Sequence, residues 1–577
     1  MKRFIIPTLL ASLTLGLTQN SSRCRCLYGQ KCWPSSSEFS SLESQLSQPL
    51  IYPIPTASGC YPLSSPSGNC SDIQTNWFNG SWRADHPGSM DMTNYESFIF
   101  KNGSISACYF NTSLDTPCEQ GNIPVIGVDA RSVGDVQTAV KFASSHNLRM
   151  VIKNTGHDYG GRSAARNAFM LWTHHLNNIT YNSTFVPAGA PQSETYDAIT
   201  LGAGVLWKDA YSAAAANGRL MIGGISGGGD VGAAGGWLQG GGHSAFAPLH
   251  GLGVDNVVEF NLVTASGEFV TANAYRHSDL FWALRGGGGG TWGVVTSVTY
   301  KTHPIFSVTA VFFNATSNST NTMKKLFTEF VRIHPSLSDS NIGGYATAAN
   351  TSLFFFYTLP NSTDAAANAS FSSFFEVAHN LTNEGLNIEM QYTTTYDTFE
   401  QWYKALFSGA SGGGGSIVEL ASRLLPTALF AKDKYEDFAD KLFDVVGAGL
   451  VWNLVAGGAV SRVDPDSTGL NPAWRHSLVE AVWGHAGWPE GATYGEIERA
   501  RARLSATMAK VSSIMPGAGS YFNEGSIFEP TPQQTYFGSH YRKLKQIKKK
   551  YDPTGLFIVA AGVGSEDWGD DLNCRRF

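Results

Sequence analysis

The 577-residue chain has no cysteine between Cys118 and Cys574, no long apolar run beyond its first residues, no basic excess and few charges of either sign. The cysteine gap means that no disulfide can staple residues 119–573. Crosslinks are confined to the N-terminal segment and a tie from Cys574. Without an apolar run of about 18 residues, the chain after the N-terminus offers no membrane-spanning helix. Lys+Arg 40 against Asp+Glu 46, a net charge of −6, excludes a general nucleic-acid binder, which would carry a basic face. Charged residues are 15%, but 42% apolar content and 12% aromatics exclude a largely disordered chain.

The N-terminus and the cysteines speak for an oxidising compartment. Lys2 and Arg3 precede an apolar stretch from Phe4 to Leu17, the pattern of a signal peptide over 1–19. Eight cysteines follow: Cys24, Cys26, Cys32, Cys60, Cys70, Cys108, Cys118 and Cys574. An even count behind a leader predicts four disulfides, with Cys574 joined to one of the other seven. Zinc at Cys24, Cys26 and Cys32 is the competing reading, disfavoured by that compartment. Sequons begin at Asn69, Asn79, Asn102, Asn111, Asn178, Asn182, Asn314, Asn318, Asn350, Asn361, Asn368 and Asn380. They predict N-glycans on a secreted protein.

Four regions follow the leader. Residues 20–118 form a Ser-, Pro- and Cys-rich extension. Residues 119–303 alternate helical and strand patterns: a helix over Val133–His146, with Val136, Ala139, Val140 and Ala143 on one face, and strands over 150–152, 257–264 and 294–302. Residues 304–500 read as a separate domain with a strand over 353–358 and a helix over 436–446. Residues 501–577 contain a helix to Ile514 and a basic helix over 540–550 that Asp552-Pro553 stops. Arg542, Lys543, Lys545 and Lys548 to Lys550 read as its solvated face. Gly412 to Gly415 read as a mobile loop.

Three glycine-rich stretches carry the chemistry. Lys153 to Ser163 (KNTGHDYGGRS) follows a strand, and its backbone can approach an anion closely, with His157 at its centre. Gly223 to Gly242 holds 11 glycines in 20 positions. It contains formal dinucleotide (Gly227, Gly229, Gly232) and nucleophile-elbow (Ser226) patterns, both cheap in so glycine-rich a segment. Backbone wrapped around a large ligand is the better reading. Asp279 to Arg285, five glycines and Thr291 to Val295 complete the set.

Together with Leu171 to Leu176, Gly251 to Asp255, Tyr521 to Glu524 and Tyr541 to Pro553, these stretches resemble the vanillyl-alcohol oxidase family. The match is to its p-cresol methylhydroxylase (PCMH) type of FAD-binding domain and to fungal secreted members akin to berberine bridge enzyme. The resemblance implies an α+β fold: a two-subdomain PCMH-type FAD-binding domain, a substrate domain whose antiparallel sheet is covered by helices, and a C-terminal segment returning to the flavin domain. It implies an FAD-dependent oxidase that takes hydride from a C–H next to O or N of a small molecule, with dioxygen as the second substrate and peroxide as product. For the substrate it implies a fungal secondary-metabolite intermediate, with a small alcohol or carbohydrate as the alternative. A flavin-carrying binding protein with negligible turnover and a hydrolase using Ser226 are the readings from other classes.

By position, the resemblance assigns His157 to a covalent 8α bond with FAD. It assigns FAD contacts to Lys153, Asn154, Thr155, Gly156, Asp158, Gly160, Gly161, Ser163, Gly232, Gly236, Gly240, Gly241, Gly242, His243 and Val294. Tyr159, Asn523 and Glu524 are its catalytic candidates. His174 and His175 are adjacent, so on a strand they point to opposite faces and make no metal pair. Bicovalent relatives carry a cysteine in a C-P-T-V-G pattern, whereas this chain reads Gly228-Gly229-Asp230-Val231-Gly232. The flavin link is therefore expected to be monocovalent.

Overall fold

The computed structural model describes residues 23–408, 413–447 and 449–576; the expected leader over 1–19 and Gly412 lie outside them. Strands Ile126–Asp129, Phe169–Trp172 and Met150–Lys153 run parallel, with the short strand Leu50–Ile51 antiparallel at the edge. Their short apolar runs suit strands buried on both faces. Helix Val133–Ser145 starts at Ser132, whose hydroxyl accepts from the Asp135 N–H. It packs Val136, Ala139, Val140 and Ala143 against this sheet, the face that the periodicity predicts.

A second, five-stranded antiparallel sheet orders Phe269–Asn273, Val257–Val263, Val294–Lys301, Tyr196–Gly202 and Ile179–Phe185. The third sheet has seven antiparallel strands: Asn387–Tyr396, Val308–Thr316, Ser352–Pro360, Gly343–Ala349, Leu450–Leu454, Ser477–Ala486 and Glu419–Pro426. Along Ser352–Pro360, Leu353, Phe355 and Tyr357 are buried in one cluster with residues of helices Thr320–Asp339, Ser372–Leu381, Tyr435–Phe443 and Tyr494–Ile514. Phe354 and Phe356 alternate to the other face.

The chain ends meet. Cys24 is bonded to Cys574, and Cys26–Cys32, Cys60–Cys70 and Cys108–Cys118 complete the four expected disulfides. The C-terminal segment is tied to the loop that follows strand Met150–Lys153 through Arg162, which donates to Ala560 O and Phe522 O and lies 3.8 Å over the Phe522 ring.

Two sequence expectations change. Lys548 is not part of the solvated face of helix Tyr541–Tyr551. It is buried and donates to Thr291 O, Phe557 O and Asp552 Oδ2, each at 2.6 Å. Lys548 lies one turn beyond Leu544 on the helix face that Leu544 and Ile547 bury, and Asp552 at the helix end meets it there. Gly415 of the glycine run is pinned: its N–H donates to Asp91 O at 2.8 Å and its carbonyl accepts from Trp77 Nε1 at 3.0 Å.

Candidate active site

A cavity of about 360 Å³ lies where the first two sheets, the glycine stretches and the C-terminal segment converge. Its wall includes Asn154 to Tyr159, Arg162, Ser163, Gly224 to Gly227, Gly232, Gly235, Gly236, Gln239, His243, Asn523, Glu524 and Ile558. Residues from strand ends, turns and a distant segment thus share one enclosure. Gly235 and Gly236 have nothing within 4 Å of where a Cβ would sit, so any side chain there would extend into open space.

His157 sits in this wall between two carboxylates. Its Nδ1–H donates to Asp91 Oδ2 at 2.7 Å, with Asp230 Oδ2 at 3.3 Å. Both aspartates are buried. Burial opposes charge on the imidazole, but the Asp230 charge and both carboxylate hydrogen bonds outweigh it and raise His157 well above its usual value. Burial likewise pushes Asp230 up. The His157 charge and hydrogen bonds from His157 and Ser226 prevail and hold it below the usual range. Asp91, buried beside that second carboxylate, is pushed up to about 6.

A second cluster lies beside the C-terminal turn Phe522–Glu524. His243 Nε2–H donates to Glu524 Oε1 at 3.0 Å and lies 3.4 Å from Glu480 Oε2. Burial, reinforced by the Glu524 charge, pushes Glu480 up to about 8. His243 is raised despite burial, through the Glu524 charge and hydrogen bond. Tyr159 lies with its ring 5.3 Å from that of His157, its carbonyl accepting from Tyr95 Oη at 2.6 Å. Burial pushes its phenol up to about 12.

Of the sequence candidates, His157, Asn154, Thr155, Gly156, Asp158, Tyr159, Ser163, Gly232, Gly236, His243, Asn523 and Glu524 line the cavity. Others do not, for identifiable reasons. Lys153 is buried with Nζ donating to His86 O at 3.0 Å, and burial lowers it to about 7. Gly160 and Gly161 border a separate cavity, and Gly161, at φ +61°, abuts the Tyr95 ring. A Cβ on Gly240 would stand 2.5 Å from Asn523 Oδ1, so this glycine lets the C-terminal turn approach. Gly241 and Gly242 pack on Leu470 and the Trp237 ring. Val294 is core, clustered with Val128 and Leu171. Asn523 commits its amide to Gly236 O at 2.8 Å and Tyr521 Oη at 2.8 Å, a clamp on the turn.

His174 and His175 follow the strand Phe169–Trp172 rather than extend it, so strand alternation does not separate them. Their rings lie 5.3 Å apart, bonded to Asp85 and Asp129. Neither lines the cavity. Ser226 donates its hydroxyl to Asp230, and no helix begins within residues 227–232, so the nucleophile-elbow pattern lacks its structure. Sequence reasoning missed Asp91, Glu480, Gln239 and Arg162. Arg162 and Gln239 lie inside the glycine-rich stretches already singled out, Glu480 left the signal of a carboxylate inside the apolar strand run Leu478–Trp483, and Asp91 left none.

Comparison with known proteins agrees with this architecture. The family described as FAD binding domain matches residues 124–273, and that described as berberine and berberine like matches residues 520–564. An FAD-linked oxidoreductase of Arthroderma benhamiae is 36% identical over 96% of this chain and 96% of its own. The VAO-type flavoprotein oxidase VAO615 of Thermothelomyces thermophilus is 31% identical over 98% of each. The crystal structure of the VAO-type flavoprotein MtVAO615 from Myceliophthora thermophila superposes with a TM-score of 0.84 at 28% identity, covering 96% of this chain and 100% of that one. With the cavity, the two flanking sheets and the returning C-terminal segment, these matches identify the chain as an FAD-linked oxidoreductase belonging to the VAO-type, berberine bridge enzyme-like family.

Proposed function

We propose that this FAD-linked oxidoreductase is a secreted, N-glycosylated oxidase that takes hydride from a C–H next to O or N of a small molecule and reduces dioxygen to hydrogen peroxide. The observation that carries the reading is the convergence of His157, Tyr159 and Glu524, from two distant segments, on one cavity wall. The four disulfides support an oxidising compartment. As substrate we infer a fungal secondary-metabolite intermediate from the resemblance of the sequence motifs alone, with a small alcohol or carbohydrate as the alternative.

The wall suits FAD. Open space at Gly235 and Gly236 admits a ligand against bare backbone. Buried Asn154 Oδ1 and Gln239 Oε1 have no protein donor and offer acceptors to it. FAD, when bound, supplies hydride acceptance and electron transfer to dioxygen. We assign the covalent 8α bond to His157, whose ring Asp91 and Asp230 orient; residues 119–573 supply no cysteine for a second thioether. Tyr159, neutral at working pH, hydrogen-bonds the substrate oxygen or nitrogen. Glu524 Oε accepts the substrate proton, and the His243 Nε2–H steadies the carboxylate.

The test is a screen of candidate alcohols and amines on the purified yellow protein, following oxygen uptake and peroxide. One peroxide formed per substrate oxidised is expected. Substrate-dependent flavin reduction without peroxide would make the protein a dehydrogenase, and no reduction by any substrate would favour a binding role.

A further inference from the structure

Gly160 and Gly161, which continue the loop from His157, border a second cavity, of about 320 Å³ against about 360 Å³ for the first. Separate parts of the chain build it. They include the hairpin of strands Phe98–Ile99 and Ile105–Ser106, helix Tyr494–Ile514 and the stretch before that helix from Trp488. Phe98, Tyr109, Trp488, Ile99, Ile417 and Ile527 make its wall largely apolar.

The charged groups on this wall are already answered. Arg501 donates to Glu419 from Nε at 3.1 and 3.0 Å and from Nη2 at 2.6 Å, and its guanidinium lies 4.7 Å over the Phe528 ring. Glu490 accepts from the Phe110 and Asn111 N–H groups at 3.1 and 2.7 Å. Asp570 pairs with Arg576. Asn94 differs from them. Its Oδ1 accepts from Val418 N–H at 3.2 Å, which assigns the two ends of the amide. Its Nδ2 is buried without an acceptor, alone in this among the side-chain polar atoms of the wall in the described residues. A buried donor left unpaired is costly. A mostly apolar pocket with one placed polar group is the usual build of a small-molecule site.

The same segment reaches the flavin anchor. Asn94 and Tyr95 belong to the short turn Thr93–Tyr95 that follows Asp91, closed by Tyr95 N–H donating to Met92 O at 3.0 Å. Asp91 holds the His157 ring at 2.7 Å. Tyr95 lines the second cavity, and its Oη donates to Tyr159 O at 2.6 Å. A ligand that moves this turn therefore bears on the His157 loop from two directions.

We propose that the second cavity binds a flat, uncharged aromatic compound whose carbonyl oxygen accepts from Asn94 Nδ2, and that its occupancy alters the flavin site through Asp91 and Tyr95. A charged ligand would find no free counter-charge on the wall, and a hydrocarbon would leave Asn94 unpaired. The inference needs FAD in the first cavity but no particular base or substrate.

The experiment uses the flavin-loaded protein with 2-acetylnaphthalene, and with 2-ethylnaphthalene as a similar shape lacking the acceptor. Equilibrium dialysis gives Kd, and the visible flavin spectrum gives the response. The ketone is expected to bind about tenfold tighter than the hydrocarbon and to shift the flavin bands. Asn94→Asp keeps the acceptor for Val418 N–H but loses the donor, and is expected to abolish that preference. Trp488→Ala, at a partly exposed position, is expected to weaken the ketone about tenfold. Tyr95→Phe keeps the ring and removes the bond to Tyr159 O. It is expected to leave the ketone Kd within about twofold while reducing the flavin shift. A ketone that binds no tighter than the hydrocarbon, or a ketone Kd unmoved by both Asn94→Asp and Trp488→Ala, would overturn the site. Binding with an unshifted flavin spectrum would overturn the coupling.

Discussion

Asp91 and His157 meet at 2.7 Å across 66 positions of sequence, joining the disulfide-stapled N-terminal region to the glycine loop of the FAD domain. Asp91 N–H also donates to Gly156 O at 3.0 Å, and Asp91 O accepts from Gly415 at 2.8 Å. Three regions of the chain therefore fix one imidazole. The N-terminal region thus contributes a side chain to the candidate site.

That arrangement predicts a role in flavin attachment. Asp91→Asn and Asp230→Asn remove the carboxylates that hold the His157 ring. Each is expected to lower the fraction of covalently bound flavin, read as fluorescence in a denaturing gel against total flavin absorbance. Full covalent loading in both variants would show that the ring needs neither carboxylate.

The proton-transfer assignment predicts unequal losses. Glu524→Gln is expected to slow anaerobic flavin reduction by about 10²–10⁴-fold, the usual range for loss of a general base. Tyr159→Phe removes one hydrogen bond, worth about 0.5–1.5 kcal/mol, and is expected to cost roughly 2- to 10-fold. Stopped-flow measurement on fully flavinylated variants checks both.

The buried Glu480 predicts a pH effect on stability. Its folded pKa, about 8, lies above its ordinary value of 4.5, so between those values the folded state holds a proton that the unfolded state has lost. Its contribution to stability therefore falls as pH rises from 5 to 8. His243, raised above 6.5, acts with the same sign: its contribution is full below its unfolded pKa and fades as pH climbs. Glu480→Gln cannot ionise, so its thermal midpoint is expected to decline less than that of the wild type over pH 5–8. Equal slopes would contradict the raised Glu480.

The tie between chain ends predicts a stability cost. Cys574→Ser opens the Cys24–Cys574 bond and is expected to lower stability by about 2–5 kcal/mol. Denaturant unfolding measures it, and a non-reducing peptide map of the wild type should recover the joined peptides.

Periodicity and glycine placement made much of this legible in advance. Helix Val133–Ser145 was readable because its apolar residues recur on one face, and the His157 loop because glycines surround a polar histidine after a strand. Asp91 was not readable. It sits in a region without periodicity, and nothing local marks a partner 66 residues away. Lys548 misled because its neighbours are basic, while its burial depends on carbonyls of Thr291 and Phe557 that only the fold brings near.

The most direct test is to find where the flavin is bonded. After acid precipitation, proteolysis and mass spectrometry, the yellow, fluorescent peptide is expected to contain His157, to carry a single flavin and to include no cysteine linkage. Complete release of FAD into the acid supernatant, or a flavin bonded to another residue, would contradict the assignment of His157 as the anchor.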